Sequence, residues 1–267
     1  MLRRIQICAR SPAAARIQHN STAIGSSSLV AALSPPSRTQ MSTGARAAQV
    51  RAALEDDLTW RRDEIRNLRN LSTSGSGKSG DACRRRALLL LLYAHLEGFI
   101  RFALVQYATT INDCRIAVSD AKQTLSAATL SERFKRHRSS DVGDPFDPSG
   151  NRARQVERDA ALITDILALQ GTPVSLPINL VTSADSNLTP TVLRRNLVSL
   201  GLEDSEFIKY SHRLEGLLSL RNRIAHGENA NLPSDPNYWN FETKIFDLCE
   251  EVMRTIYESV RDEKYRA

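Results

Sequence analysis

The chain has 267 residues, 41% hydrophobic and only 6% aromatic, a balance that suits one large or two small helical globular domains. Its net charge of +6 is unevenly spread: residues 1–54 hold seven arginines and no acid, so the rest carries 29 basic against 30 acidic residues. A near-neutral body excludes a broad basic platform for nucleic acid but leaves room for a local cationic cleft.

Residues 1–45 are rich in Ala, Ser and Arg and lack Asp and Glu. The segment is expected to be a disordered basic extension. Its composition matches a mitochondrial transit peptide and not a secretory signal, which needs an apolar core. The competing origin is upstream sequence translated ahead of a true start at Met41. The expected location is therefore cytoplasmic, or mitochondrial if the segment is a transit peptide.

A helical domain is expected over 46–267. Val50, Leu54, Leu58, Ile65 and Leu68 give helical spacing over 46–70. Ser72 to Gly80 reads as a loop. Its Gly77-Lys78-Ser79 matches the end of a phosphate-binding P-loop, but Ser72 stands where that motif needs Gly, and no strand precedes it. Residues 82–111 form the most apolar helix, with the stripe Leu88, Leu91, Leu92, Phe99, Phe102, Ala103. An almost all-round apolar helix is a central core helix. His95, Glu97 and Arg101 interrupt it, so no membrane span is expected. Residues 119–137 allow a helix that ends in the basic cluster Arg133, Lys135, Arg136, His137, Arg138, and Ser139 to Gly150 reads as a loop. Val156, Ala160, Ile163, Ile166 and Leu167 mark a helix over 152–170, and a Pro-containing stretch follows over 171–190. Thr189-Pro190 is an N-cap with Pro at the first helical position, and Gly201 closes the short helix it opens. A long helix capped by Asp204 or Ser205 then runs to His226, and a last one spans Tyr238 to about Lys264.

The end of the 204–226 helix carries the sharpest signal, Arg221-Asn222-Arg223-Ile224-Ala225-His226-Gly227. With Leu214 at the origin of a helical wheel, Leu217, Leu218, Ile224 and Ala225 fall at about 300°, 40°, 280° and 20°, and Arg221 at about 340°, the middle of the apolar stripe. A guanidinium keeps its proton, so burial there needs an anion or hydrogen-bonded partner: a carboxylate such as Glu97 or Glu215, or a bound phosphate. His226 precedes a Gly that reads as the helix stop, where a cationic His also suits the helix dipole. An Arg for phosphate charge beside a His for proton transfer points to phosphodiester chemistry.

Arg221 to His226 reads R-N-x-x-A-H. It resembles the signature of the HEPN superfamily (higher eukaryotes and prokaryotes nucleotide-binding domains). Tyr93-Ala94-His95-Leu96-Glu97-Gly98-Phe99 is similar to the Y-A-H-x-E-G-F helix of the MAE-type HEPN-like nucleases, and Asn187 to Leu193 with Leu200-Gly201-Leu202 resembles the segment before their R-N-x-x-A-H helix. The resemblance covers roughly 50 to 264. It implies an all-α bundle of about five to seven helices, a two-fold homodimer, and metal-independent RNA cleavage by the Arg and the His. It also implies a toxin or defence role, with RNA as substrate and an antitoxin or regulatory protein as a possible partner. Some HEPN domains only bind RNA, nucleotide or a protein partner, which is the alternative reading.

RNA supplies its own nucleophile in the 2′-OH. Cleavage needs a base, an acid and cations for the phosphorane, but no metal or cofactor. Arg221 and His226 are the candidate catalytic pair. Asn222, at about 80° on the same wheel, lies on the side of His226 and is a candidate to orient its ring or hold a phosphate oxygen. Glu97 and His95 are candidate supporting residues, with a satisfied core histidine as the plainer reading of His95. One His per chain does not provide both acid and base; a two-fold dimer would. The cysteines Cys8, Cys83, Cys114 and Cys249 are scattered without a C-x-x-C pair, so neither zinc nor a disulfide framework is indicated. His95-x-Glu97 lacks the P-C-x-x-C of the zinc deaminases.

Overall fold

The computed structural model describes residues 41–71, 77–139, 148–178, 187–228 and 232–267, without the side chains of 77–79 and 148–151. The described residues form eight α-helices, one more than the upper end of the expected range. These are α1 Thr43–Asn70, α2 Gly77–Cys114, α3 Gln123–Thr129, α4 Ser131–Ser139, α5 Pro148–Leu169, α6 Pro190–Ser199, α7 Ser211–Ala225 and α8 Asp235–Arg261. They include no strand; only two isolated bridges occur, Ala117 to Pro173 and Ala121 to Arg266. The fold is all-α, as the periodicity predicts. Most of the basic extension, residues 1–40, lies outside the described residues, and α1 already begins at Thr43 under a Ser42 cap.

α2 is the axis of the bundle. Leu89, Leu92, Leu96, Phe99, Ala103, Leu104, Tyr107 and Ile111 are inaccessible or nearly so. Gly80–Cys114 is long and apolar enough by length and composition to cross a membrane, with an 18-residue window of mean hydropathy 1.8. In this structure those apolar faces pack on α1, α7 and α8. Cross-contacts set the directions. Arg61 meets His95 and Arg69 meets Arg84, so α1 runs antiparallel to α2. Arg62 pairs with Glu250 and Arg69 with Glu242, so α1 also runs antiparallel to α8. Arg85 pairs with Asp235 and the Tyr107 and Ser259 hydroxyls are 2.9 Å apart, which makes α2 and α8 parallel. α7 returns antiparallel to α8: Lys209, just before it, reaches Glu251, while Arg213 lies over Phe241.

Several boundaries differ from the sequence pattern. Gly77-Lys78-Ser79 is the first turn of α2 rather than loop, while 72–76 lie outside the described residues. The single helix allowed over 119–137 is broken into a 3₁₀ turn (Val118–Asp120), α3 and α4, with a break at Leu130. The helix expected from 204 starts with a separate 3₁₀ turn, Ser205–Tyr210. Phe207 and Tyr210 are both buried there, and a period of three puts i and i+3 in line. Of the loop expected over 139–150, residues 148–150 belong to α5 and 140–147 lie outside the described residues. On α5 three of the residues that mark the helix face outward: Val156, Ile163 and Leu167 are 64%, 58% and 60% exposed. Its partly covered side is Leu162, Ile166 and Leu169. Two members of the basic cluster on α4, Arg133 and His137, pair with Asp165 and Asp159 of α5.

The helix ends that position the site behave as the sequence indicates. Thr189 caps α6 by accepting from Val192 N–H at 3.1 Å, and Gly201 ends the following turn at φ +67°.

Candidate functional site

α7 stops in a hydrogen-bonded reversal. Gly227 N–H donates to Ile224 O at 3.1 Å and Glu228 N–H to Arg223 O at 2.9 Å, with Gly227 at φ +76°. A glycine there avoids the Cβ penalty of left-handed backbone. His226 is thereby the C-cap residue, its own N–H bonded to Asn222 O at 2.9 Å and its ring exposed.

Arg221, one and a half turns back, leans the other way, onto α2. Its guanidinium carbon sits 5.0 Å from the centroid of the buried Tyr93 ring. Nη1 donates to Asn222 Oδ1 at 2.8 Å and to Asn187 Oδ1 at 3.3 Å. Among the described residues it forms no ion pair, so neither Glu97 nor Glu215 neutralises it. Its cost of partial burial is met by a π face and two amide oxygens. Both amides use the same nitrogen. The Nε–Nη2 edge, the one that matches two oxygens of a phosphate, takes no partner among the described residues.

Tyr93 also holds the segment that supplies Asn187. Its hydroxyl accepts from Leu188 N–H at 2.8 Å. Glu97, one turn along α2 on the same face and half-buried, approaches this hydroxyl. Burial first, and the Glu97 carboxylate with it, raise the Tyr93 pKa against the opposing pull of Leu188 and Arg221. Glu97 also lies 3.9 Å from Arg101.

The structure thus brings Arg221, Asn222 and the neighbourhood of Glu97 together, and adds Tyr93 and Asn187. Asn222 holds Arg221 rather than the His226 ring. His226 and Arg221 share no contact within one chain among the described residues, as their separation of about 140° on a helix leads one to expect. His95 stands apart. It points from the opposite side of α2 to α1, where Nε2 is 2.9 Å from Glu64 and the ring packs edge-on against Trp60 at 5.2 Å. Burial lowers its pKa, with Arg61 adding to the effect and Glu64 opposing it. Arg61 is the centre of that second face. It is clamped by Asp57 through Nε at 2.7 Å and Nη2 at 3.2 Å, and Nη1 reaches His95 O at 3.4 Å.

Sequence reasoning missed Tyr93 and Asn187 as site components. The available signal was the i, i+4 spacing of Tyr93 and Glu97, which puts both on one face of a helix.

An all-α bundle whose central helix presents Tyr93 and Glu97 to an Arg–x4–His helix end defines a HEPN-type domain. The chain matches the model of the HEPN_MAE_28990-like HEPN family over residues 50–265 and belongs to that family. No curated protein and no solved structure matches it.

Proposed function

We propose that this protein is a metal-independent endoribonuclease, of the toxin or defence type, that cleaves RNA by attack of its 2′-OH on the adjacent phosphate. The observation that carries this reading is the Arg221 guanidinium. It is held by a ring face and two amide oxygens, and its Nε–Nη2 edge takes no partner among the described residues, one and a half turns from an exposed histidine. Family membership agrees with an RNA-related, nuclease-like role.

In this scheme Arg221 binds two non-bridging oxygens and strengthens its hold as the phosphorane gains charge. His226 transfers a proton. Neutral imidazole accepts the 2′-OH proton as the new P–O bond forms, and an imidazolium returns one to the 5′-oxygen as that bond breaks, leaving a 2′,3′-cyclic phosphate. The two roles need two rings. A two-fold homodimer that faces two α7 ends across one cleft provides them, and agrees with the lack of Arg221–His226 contact inside one chain.

The test is incubation of the purified protein with single-stranded RNA in EDTA, beside His226→Ala, Arg221→Ala and Arg221→Lys. The expected outcome is 2′,3′-cyclic phosphate ends with the wild type. All three variants should lose that product, the lysine because a point charge does not replace a planar fork. RNA binding without cleavage would replace this reading with a non-catalytic HEPN binding module.

A further inference from the structure

We propose that Tyr93 is a positioning residue for Arg221. It fixes the guanidinium both directly, through its ring, and indirectly, through the 187–188 segment tied to its hydroxyl. The inference rests on the reading of Arg221 as the phosphate-binding group.

An arginine side chain has many rotamers, and presenting one chosen edge to a ligand requires the others to be suppressed. Tyr93 does this in two ways. Its ring is 1% exposed, locked between α2 and its neighbours, and provides a platform beneath the guanidinium at 5.0 Å. Its hydroxyl accepts the Leu188 N–H at 2.8 Å, a bond between residues 95 positions apart. That bond anchors the stretch immediately before the Thr189 cap of α6. It therefore sets where Asn187 Oδ1 stands, and Asn187 Oδ1 takes Arg221 Nη1. Asn222 Oδ1 occupies the same nitrogen from the α7 side. With the plane set by the ring and one nitrogen set by two acceptors, the Nε–Nη2 edge has one direction left.

A phenylalanine would fill the same core volume but leave a buried Leu188 N–H without its acceptor. Glu97 complements the arrangement. Burial first, and its carboxylate with it, raise the Tyr93 pKa, so the hydroxyl that accepts the Leu188 N–H stays a neutral phenol.

Two measurements on the full chain test this. The first needs no RNA: the Arg221 Nε–Hε resonance, assigned by its loss in Arg221→Lys. It should be sharp and ring-current shifted in the wild type. It should keep the shift but broaden in Tyr93→Phe, and lose the shift in Tyr93→Leu. An Arg221 resonance at the position of a free arginine in the wild type would overturn the proposal. So would one unmoved in Tyr93→Leu.

The second is a binding cycle with an uncleavable 2′-O-methyl RNA oligonucleotide. Tyr93→Leu should weaken binding about tenfold, the scale of a desolvated cation–π contact. In the Arg221→Ala background the same change should have no effect. Independent, multiplying losses would mean that Tyr93 acts otherwise than through Arg221. A wild type that binds this RNA but leaves natural RNA intact would remove the ribonuclease reading and leave the positioning role standing. Failure to bind RNA at all would remove the phosphate reading, with the resonance test still deciding the positioning.

Discussion

Gly98→Ala tests the packing of the motif helix. A Cβ built on Gly98 would lie 2.7 Å from Arg61 Nη1 and 3.3 Å from both Cζ and Nη2. The guanidinium is the end of a flexible side chain, so it would move rather than the backbone. It is not free to move without loss, however. Asp57 holds it through two nitrogens, and the pair is only 11% and 13% exposed. Trp60 lies against its face at 4.5 Å. Overpacking of this kind costs about 1–3 kcal/mol. Replacing Gly by Ala inside a helix returns about 1 kcal/mol. The expected net effect is a destabilisation of about 1 kcal/mol, or a fall in Tm of about 2–4 °C for a domain of this size. Thermal unfolding followed by circular dichroism measures it. In an Arg61→Ala background the clash is gone, so Gly98→Ala should change sign and stabilise. An unchanged or higher Tm in the wild-type background, or a loss that persists without Arg61, would refute the steric argument.

Burial lowers the His95 pKa, so the unfolded chain binds the extra proton first and stability should fall as pH drops through about 6.5. Urea midpoints at pH 7.5 and 5.5, compared between wild type and His95→Gln, isolate this component from Asp57, Glu64 and Arg61 around it; a variant with the same pH slope would contradict it. His226→Ala removes an exposed side chain and should abolish cleavage with a shift in Tm of no more than about 1–2 °C, since surface substitutions stay within about 0.5 kcal/mol. A chain that starts at Met41 should melt with the full-length protein, because Met41–Ala267 is a compact unit with its own α1 cap; a drop of several degrees in differential scanning calorimetry would argue otherwise.

What the sequence revealed follows the range of the interactions involved. Thr189-Pro190 and Gly201 mark α6 almost to the residue, because a cap is made within four residues. The apolar density of α2 shows it to be central, since no other packing hides so many leucines. The same rules fail where two readings share one pattern. Ser205–Tyr210 passes as the start of α7, because residues three apart lie on one side of both an α- and a 3₁₀-helix. α5 carries two apolar stripes, and periodicity alone does not say which one meets α4. Arg221, Asn222 and His226 stand out locally. The role of Tyr93 depends on a hydrogen bond to Leu188, far away in the chain, and no local pattern encodes it.

Tyr93 and Gly98 look in different directions from one short stretch of α2, the first at Arg221, the second at Arg61. The stretch therefore works as a ruler as well as a set of side chains. Inserting or deleting a single residue between them would turn one contact by about 100° and slide it by about 1.5 Å relative to the other. No rotamer change restores both at once. Single substitutions test one face at a time, whereas a change of length sets the α1 contact against the α7 contact. The number of residues between Tyr93 and Gly98 is thus fixed by two contacts at once, whichever side chains stand between them.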